Sequence, residues 1–382
     1  MDRFLGNSVI SGDIPLPVLT LNETALTSNI AAMSAYCAER GVYLAPHAKT
    51  HMIADIVSKQ IELGAWGATV ATVEQAVTVA EWDVDRIVIA NEVTGKANLL
   101  LLRELLRSHN QLQVYVLADS VAGVALLAAI MADLHKPLSV LLEVGFGGRR
   151  AGVRDRDRAF EVARAISETS RLKLAGLEMY EGAVAADRSP GSLSNVDAAL
   201  AGMLRLARDM RRLGLFADEE AILSAGGSVF FDRVVNAWAD KPEGFMILLR
   251  SGAYASHDDG HYKCLSPLDL SPALVVWANV LSVPEPEVSI IGMGKRDVPY
   301  DLGMPVPKWV VRNRKAETAP ASWRITDTND HHAFMNTANE PPQVGDIVGF
   351  GLSHPCTSFD KWSTVLVVDD ACVVRAEWHT QF

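Results

Sequence analysis

Residues 43–51, YLAPHAKTH, place a lysine between two histidines directly after a short apolar run. A lysine amine becomes a nucleophile or a base only when it loses its proton, and desolvation at the end of a buried strand favours the neutral form. Lys49 is therefore a candidate to form a Schiff base with an aldehyde and to remove a proton from carbon. His47 could support Lys49 through a hydrogen bond, or it could simply cap the strand.

Two later segments, SAGGS and RSGAY, carry groups that can bind an anion. Glycine-containing turns expose backbone N–H groups, and serine and tyrosine hydroxyls add further donors. A phosphate held opposite a lysine suggests pyridoxal phosphate, because the aldehyde of that cofactor reacts with an amine. The candidate phosphate-binding residues are Gly226, Gly227, Ser228, Ser251, Gly252, Ala253 and Tyr254.

These segments need a scaffold that brings distant loops together. Short apolar, β-branched runs alternate with longer segments of helical period, which predicts a closed parallel (β/α)8 barrel; an open doubly wound sheet is the alternative. The runs are residues 42–46, 68–72, 86–90, 113–118, 138–144, 174–180, 221–225 and 246–250. In such barrels the chemistry lies at the carboxyl ends of the strands, and phosphate sites are commonly built after strands seven and eight.

The sequence changes character after about residue 262, where helical periodicity nearly disappears and β-rich, proline-bearing segments follow. We predict an α/β barrel plus an all-β domain. Residues 1–24 form an N-terminal strand segment that could pair with the β domain, residues 25–262 form the barrel, and residues 263–382 form the β domain.

Composition excludes several other classes of protein. Hydrophobic residues make up 49% and charged residues 21% of the 382 residues, which is typical of a globular protein. A formal net charge of −11 argues against a nucleic-acid partner. No stretch approaches the roughly 18 apolar residues of a membrane span. The four cysteines are scattered, so we expect no disulfide framework and a cytoplasmic protein.

Four motifs together resemble the alanine-racemase-fold group of pyridoxal-phosphate enzymes. They are YLAPHAKTH, GFGGRRAGV after the fifth strand, SAGGS and RSGAY. Within that group the chain is similar to the D-threonine aldolase and D-serine dehydratase family. GKRDVPYD, DHHAF and HPCTSFDKW near the C-terminus are similar to its D-serine-deaminase-like members. The resemblance spans nearly the whole chain and implies a barrel plus β domain, pyridoxal phosphate, a divalent metal, a D-amino acid with a β-hydroxyl, and a homodimer.

The resemblance also implies roles for individual residues. Lys49 matches the Schiff-base lysine, and Arg150 matches the arginine that approaches the phenolic oxygen of the cofactor. Tyr180 matches a tyrosine beside the cofactor ring, and the glycine-serine loops match the phosphate cup. With Lys49, we take Tyr180 and His47 as the candidate catalytic residues. Ala48 is a departure, since many relatives have a bulkier residue there, but we expect no effect on the chemistry.

His354 and Cys356 in SHPCTSFDKW are the candidate metal ligands. They are two residues apart, so on an extended segment both side chains would face the same way. Imidazole and thiolate together favour Zn²⁺ over Mg²⁺ or Ca²⁺. The position matches the metal ligands of the family, in which aldolases tend to have a carboxylate where dehydratases have the cysteine. Cys356 therefore favours dehydration, because a Lewis acid assists the departure of hydroxide.

The expected reaction removes water from a D-3-hydroxy amino acid such as D-serine and yields a 2-keto acid and ammonia. The alternative is an aldolase that cleaves the Cα–Cβ bond of a related substrate to glycine and an aldehyde. A non-catalytic cofactor carrier and an amino-acid racemase are further alternatives; a carrier would not need the C-terminal domain. Candidate donors to the substrate carboxylate are Arg296, Tyr300, His331 and His332.

Overall fold

The computed structural model describes residues 3–240 and 243–382. These residues form two compact units, here called the β unit and the barrel unit. The β unit comprises residues up to Met33, Thr50–Asp55 and Ala253–Phe382, and the barrel unit comprises Ser34–Lys49 and Ile56–Gly252. The three domain ranges predicted from the sequence stay a prediction, because compactness alone does not show which segments fold independently.

Strands and helices alternate along most of the chain after β1 (Val18–Asn22) and α1 (Glu23–Arg40). They are β2 (Tyr43–Leu44), α2 (Ala54–Glu62), β3 (Ala68–Val70), α3 (Val73–Ala80), β4 (Arg86–Glu92), α4 (Lys96–Ser108), β5 (Gln113–Ala118), α5 (Val121–Ile130), β6 (Leu138–Val144), α6 (Arg156–Ser167), β7 (Leu172–Met179), α7 (Pro190–Arg212), β8 (Ala221–Ala225), α8 (Phe231–Ala237) and β9 (Phe245–Leu249). Each predicted barrel run contains one of the strands β2 to β9 or overlaps it by most of its length. Parallel strands covered on both faces read as continuous apolar runs, which is why these were visible in the sequence.

The eight strands β2 to β9 pair in parallel and form one sheet, in the order β2-β9-β8-β7-β6-β5-β4-β3. Its two ends are joined to each other. His47, just after β2, forms a parallel bridge with Thr69 of β3. The N–H of Thr69 donates to the carbonyl of Pro46 at 2.8 Å, and the N–H of Trp66 donates to that of Leu44 at 2.7 Å. The sheet is therefore a closed barrel, as predicted, and the open-sheet alternative is wrong.

Apolar side chains fill the barrel and hold its strands around one core. Residues from most of the strands pack together there and are almost fully buried. Burying a side chain of this size stabilises the fold by about 1.5–3 kcal/mol. The cluster consists of Ala45, Val88, Tyr115, Leu117, Leu141, Ala175, Ile222 and Leu248.

The remaining strands belong to the β unit and are largely antiparallel. They are β10 (Leu274–Glu285), β11 (Val288–Ile291), β12 (Val306–Arg312), β13 (Lys315–Thr318), β14 (Arg324–Thr328), β15 (Ala333–Asn336), β16 (Ile347–Gly351), β17 (Thr364–Val368) and β18 (Val374–His379). β1 lies in the same sheet, antiparallel to β10 and parallel to β17. An α/β barrel plus a separate C-terminal region of mostly β structure is the predicted fold class, which is confirmed. Within the described residues, every helix is too short or too polar to cross a bilayer.

Candidate active site

Lys49 stands next to the place where the barrel closes. It is the central residue of a short 3-10 helix, Ala48–Thr50, which begins one residue after His47. The backbone of His47 is fixed by its bridge to β3, and Ala48 is fully buried. The main chain that carries Lys49 is therefore held by the barrel, and the half-buried side chain starts at the carboxyl end of the first barrel strand.

His47 is a neutral imidazole in this setting. Burial lowers its pKa well below the usual value, and the positive charges of Lys49, Arg250 and Arg150 lower it further. Its Nδ1 atom is buried and has no hydrogen-bond partner among the residues that the structure describes. A buried ring nitrogen without a partner, close to three cations, fits a site that takes a polar, anionic group.

A buried ion pair lies at the carboxyl ends of three strands. Arg250, the residue after β9, donates from Nη2 to the carboxylate of Glu178 in β7, and both side chains are almost fully buried. Its Nε donates to the hydroxyl of Ser224 in β8 at 2.8 Å. A buried guanidinium is tolerated only when it is paired and hydrogen-bonded. This network fixes the start of the RSGAY segment.

Glu143 and the ion-pair partner Glu178 both have raised pKa values. Burial, the neighbouring Glu92 carboxyl and the negative charge of Glu178 raise the pKa of Glu143 to about 9. Burial raises the pKa of Glu178, although Arg250 and Arg150 oppose the shift. These carboxyl groups and the cations around His47 act on one another. Perturbed groups of both signs at one end of a barrel mark a candidate active site.

The first glycine loop already binds a carboxylate. The N–H groups of Gly226 and Gly227 donate to the two carboxylate oxygens of Glu181, the first at 3.0 Å. Glu181 is fully buried, and the hydroxyl of Ser251 donates to the carbonyl of Gly226 at 2.8 Å. The loop does present donors to an anion, as the sequence suggested, but in this structure that anion is a side chain. Its phosphate-binding role stays a prediction.

Gly252 was predicted to bind phosphate, but the structure shows a steric reason for a glycine at this position. A Cβ atom at this position would lie 2.6 Å from both the Cβ atom and the carbonyl oxygen of His47. The close approach of these two backbones requires glycine whether or not an anion binds. Of the remaining candidate phosphate-binding residues, Ser228 belongs to the barrel unit. Ala253 and Tyr254 are buried and belong to the β unit.

Arg150 and Tyr180 lie beside each other in the barrel unit. The guanidinium carbon of Arg150 is 5.1 Å from the centre of the Tyr180 ring, within the range of a cation–π contact. Arg150 is in the exposed loop after β6, and the Tyr180 side chain, directly after β7, is 40% exposed. Their proximity matches the expectation that both border one cofactor, and their roles stay a prediction.

The β unit holds the candidate metal ligands. His354 is extended, but Pro355–Thr357 forms a 3-10 helix, so the expectation of a continuously extended segment is wrong. Proline at the first helical position favours this turn. His354 and Cys356 still interact: burial alone would lower the pKa of His354, but Cys356 and Asp301 outweigh it and raise the pKa to about 9.

The donor set of this pair suits zinc. The hydroxyl of Tyr262 lies 3.9 Å from the Cys356 sulfur. No group of three or more His, Cys, Asp and Glu side chains could hold a metal ion among residues 3–240 and 243–382. With two protein ligands, a cation bound by His354 and Cys356 would keep coordination positions for water or substrate.

Two of the candidate carboxylate-binding residues already contact acidic side chains. Arg296 Nε lies 3.6 Å from the carboxylate of Asp330, and His331 Nδ1 lies 3.5 Å from that of Asp297. Both candidates are largely exposed. The pair of Arg296 and Asp330 is exposed on both sides and therefore weak, so a substrate carboxylate could displace Asp330, whereas Asp297 is largely buried.

Two lysines lie near the ring of Tyr300. The Nζ atoms of Lys295 and Lys361 are 5.7 Å and 5.8 Å from the centre of its ring. His332 is exposed on the neighbouring loop, and its carbonyl accepts the N–H of Asn329. A substrate-binding role for Tyr300 or His332 stays a prediction.

Two known protein families match this chain, one over most of the barrel strands and one over the C-terminal region. The family described as "Alanine racemase, N-terminal domain" matches residues 21–231, which is more than half of the chain, and the protein belongs to this family. A second family, "Putative serine dehydratase domain", matches residues 273–368, the region that contains His354 and Cys356.

Individual relatives agree with these matches. D-threonine aldolase from Arthrobacter sp is 27% identical over 366 residues, which cover 94% of this chain and 90% of the relative. D-threo-3-hydroxyaspartate dehydratase from Delftia sp. (strain HT23) is 25% identical over 212 residues, 55% of this chain and 54% of the relative. The crystal structure of D-threonine aldolase from Filomicrobium marinum superposes with a TM-score of 0.84 at 25% identity, covering 100% of this chain and 98% of that one.

We predict that Gly252→Ala lowers the free energy of unfolding by about 1–3 kcal/mol, because the new Cβ atom forces the backbone of His47 to move. Gly147→Ala is the matched control, since a Cβ atom there meets nothing within 4 Å. The control should change stability by less than about 0.5 kcal/mol in denaturant titration. Equal losses in both variants would refute the steric explanation.

The raised pKa of Glu143 predicts a pH dependence. Because the folded protein holds a proton on Glu143 up to about pH 9, while the unfolded chain releases it near 4.5, stability falls as pH rises between these values. Glu143→Gln cannot ionise and should reduce the loss of unfolding free energy between pH 5 and pH 8. Exposed Glu161→Gln should keep the wild-type profile. Identical profiles for Glu143→Gln and wild type would contradict the shift.

Proposed function

We propose that the protein is a lyase, dependent on pyridoxal phosphate and a divalent metal, that removes water from a D-3-hydroxy amino acid to give a 2-keto acid and ammonia. The observation that carries the proposal is the His354–Cys356 pair, which lies within the match to the serine dehydratase domain. The relatives support the class of substrate, since D-threonine and D-threo-3-hydroxyaspartate both bear a hydroxyl on Cβ.

The barrel unit would hold the cofactor. Lys49 would carry it covalently, Arg150 and Tyr180 would border it, and the SAGGS and RSGAY loops would hold its phosphate. The unpartnered Nδ1 of His47 and the cations near it support this assignment. The SAGGS loop could hold the phosphate only if its N–H groups were shared with Glu181 or released by it, because Glu181 accepts from them in this structure. When bound, the cofactor supplies an electron sink for charge at Cα, and the metal supplies a Lewis acid at the hydroxyl oxygen.

The residues of the chain would then move one proton and orient one leaving group. Once the substrate amine has taken its place on the cofactor, Lys49 Nζ would be a neutral amine and would take the proton from Cα. His47, held neutral by burial and by the positive charges of Arg250 and Arg150, would not compete with Lys49 for that proton. Loss of the Cα proton and the β-hydroxyl leaves an unsaturated amine, which tautomerises to an imine. Water then hydrolyses the imine to the keto acid and ammonia.

The β unit would hold the metal through His354 and Cys356. A thiolate and an imidazole select zinc among the common divalent cations, and two protein ligands leave positions for the β-hydroxyl of the substrate. We further propose a homodimer in the cytoplasm that acts on a small D-amino acid, as the family resemblance implies.

An aldolase is the second candidate. Its support is specific: the relative matched over 94% of this chain is a D-threonine aldolase, and so is the structure that superposes with a TM-score of 0.84. The same lysine could serve both reactions, because both develop negative charge at Cα. The identity of the bond that breaks, Cβ–O or Cα–Cβ, separates them.

Lys49 is predicted to be the point of cofactor attachment. Borohydride treatment of the purified, cofactor-loaded protein should fix one pyridoxyl group to the peptide that contains Lys49. Lys49→Ala should lose activity by at least about 10³-fold, while its unfolding midpoint changes little, because the side chain is only half-buried. Lys59→Ala, on α2, is the control and should still be labelled at Lys49. A pyridoxyl group on another lysine would exclude the assignment.

The products are predicted to be those of dehydration. Zinc-loaded protein should convert D-serine to pyruvate and ammonia, and Cys356→Ala or a chelator should abolish both products while the cofactor stays bound. Cys264→Ala, an exposed cysteine, should behave as wild type. Glycine and acetaldehyde from D-threonine, with no keto acid from any D-3-hydroxy amino acid, would instead establish the aldolase.

A further inference from the structure

The orientation of His354 is set by a neighbouring carboxylate. The Nδ1 atom of His354 lies 2.8 Å from Oδ2 of Asp301. A carboxylate oxygen accepts hydrogen bonds, and Asp301 Oδ2 lies at hydrogen-bonding distance from this ring nitrogen. Nδ1 therefore carries the hydrogen, and the Nε2 atom is the one left for a metal ion.

Asp301 is itself held on its other side. The hydroxyl of Thr357 donates to Oδ1 of Asp301 at 3.1 Å, and Thr357 directly follows Cys356. One carboxylate thus joins the imidazole of His354 to the turn that carries Cys356. The hydroxyl of Ser358 also donates to the carbonyl of His354 at 2.8 Å, which fixes the backbone at the start of this turn.

This arrangement argues that Asp301 is not a metal ligand. Each of its oxygens already accepts a hydrogen bond, one from His354 and one from Thr357. A simple surface ion pair is a poor explanation, because the His354 side chain is only 12% exposed. Carboxylates that accept from the second nitrogen of a histidine ligand are a general means of fixing the ring and increasing its basicity.

We propose that Asp301 is a positioning residue for the metal: it holds His354 so that Nε2 binds the cation, and through Thr357 it fixes the turn that presents Cys356. The inference rests on the proposed function only in taking His354 and Cys356 as the ligands. Asp301 ends the GKRDVPYD motif and lies 53 residues from His354 in the chain, so only the folded structure brings the two side chains together.

Zinc affinity measures this role without any turnover. Competition with a chromophoric chelator should show an affinity about 10–100-fold lower for Asp301→Ala than for wild type. Asp301→Asn should lose less, because its amide oxygen can still accept from Nδ1, and Thr357→Val should lose least. Asp360→Asn, an exposed carboxylate near the same turn, changes the charge equally and should bind zinc as wild type does.

A spectroscopic measurement separates positioning from mere structural support. In ¹⁵N NMR of the zinc-loaded wild type, His354 should show a protonated Nδ1 and a metal-bound Nε2. In Asp301→Ala this single ring environment should be lost, while Asp301→Asn should partly restore it. Zinc bound equally by all variants, or bound through Nδ1 in the wild type, would overturn the proposal.

Failure of the proposed function gives a different result. If the affinities fall as expected but no keto acid forms from any substrate, Asp301 keeps its role and the lyase is wrong. If the wild type makes keto acid and all variants bind zinc equally, the lyase stands and the role of Asp301 is wrong. A wild type that binds no zinc refutes both the metal assignment and this inference.

Discussion

The closure of the barrel is the interaction on which the candidate active site depends. Two backbone hydrogen bonds and one bridge join the segment Leu44–His47 to the segment Trp66–Thr69. Without them the sheet would have two open edges, and the residues after its first strand would be free to move. With them the main chain before Lys49 is fixed at the carboxyl end of the barrel. Gly252 packs on the same segment, so the eighth strand and the first are held together at one point.

Charge balance is the second constraint on the barrel unit. Arg250 and Glu178 are too deeply buried to be stable alone, and each satisfies the other. The neighbouring carboxyl group of Glu143 has a raised pKa, and His47 has a lowered one, so this end of the barrel carries less charge than its composition suggests. The polar groups of such a site are already in place, so they need not reorganise when a charged ligand binds.

Much of the fold could be predicted from the sequence because both faces of the barrel strands are buried, which leaves continuous apolar runs. Lys49 and the His354–Cys356 pair could be found because each lies in a short local motif. Glu178, Glu181 and Asp301 could not, because their partners are distant in the chain and only the folded structure brings them together. Glu178 and Arg250 stand at the ends of otherwise apolar strands, and this pattern does indicate a buried ion pair, since buried charges need partners.

In the proposed mechanism the chemistry is divided: residues of the barrel unit would remove the Cα proton, and a metal held by His354 and Cys356 would act only on the oxygen that leaves. Deuterium exchange tests this division most directly. D-serine incubated in D₂O with Cys356→Ala and followed by NMR should gain deuterium at Cα while no pyruvate forms; the wild type should form pyruvate. If the variant binds the cofactor but neither exchanges the Cα proton nor forms pyruvate, or if it forms pyruvate at the wild-type rate, the two steps are not divided between these residues as described.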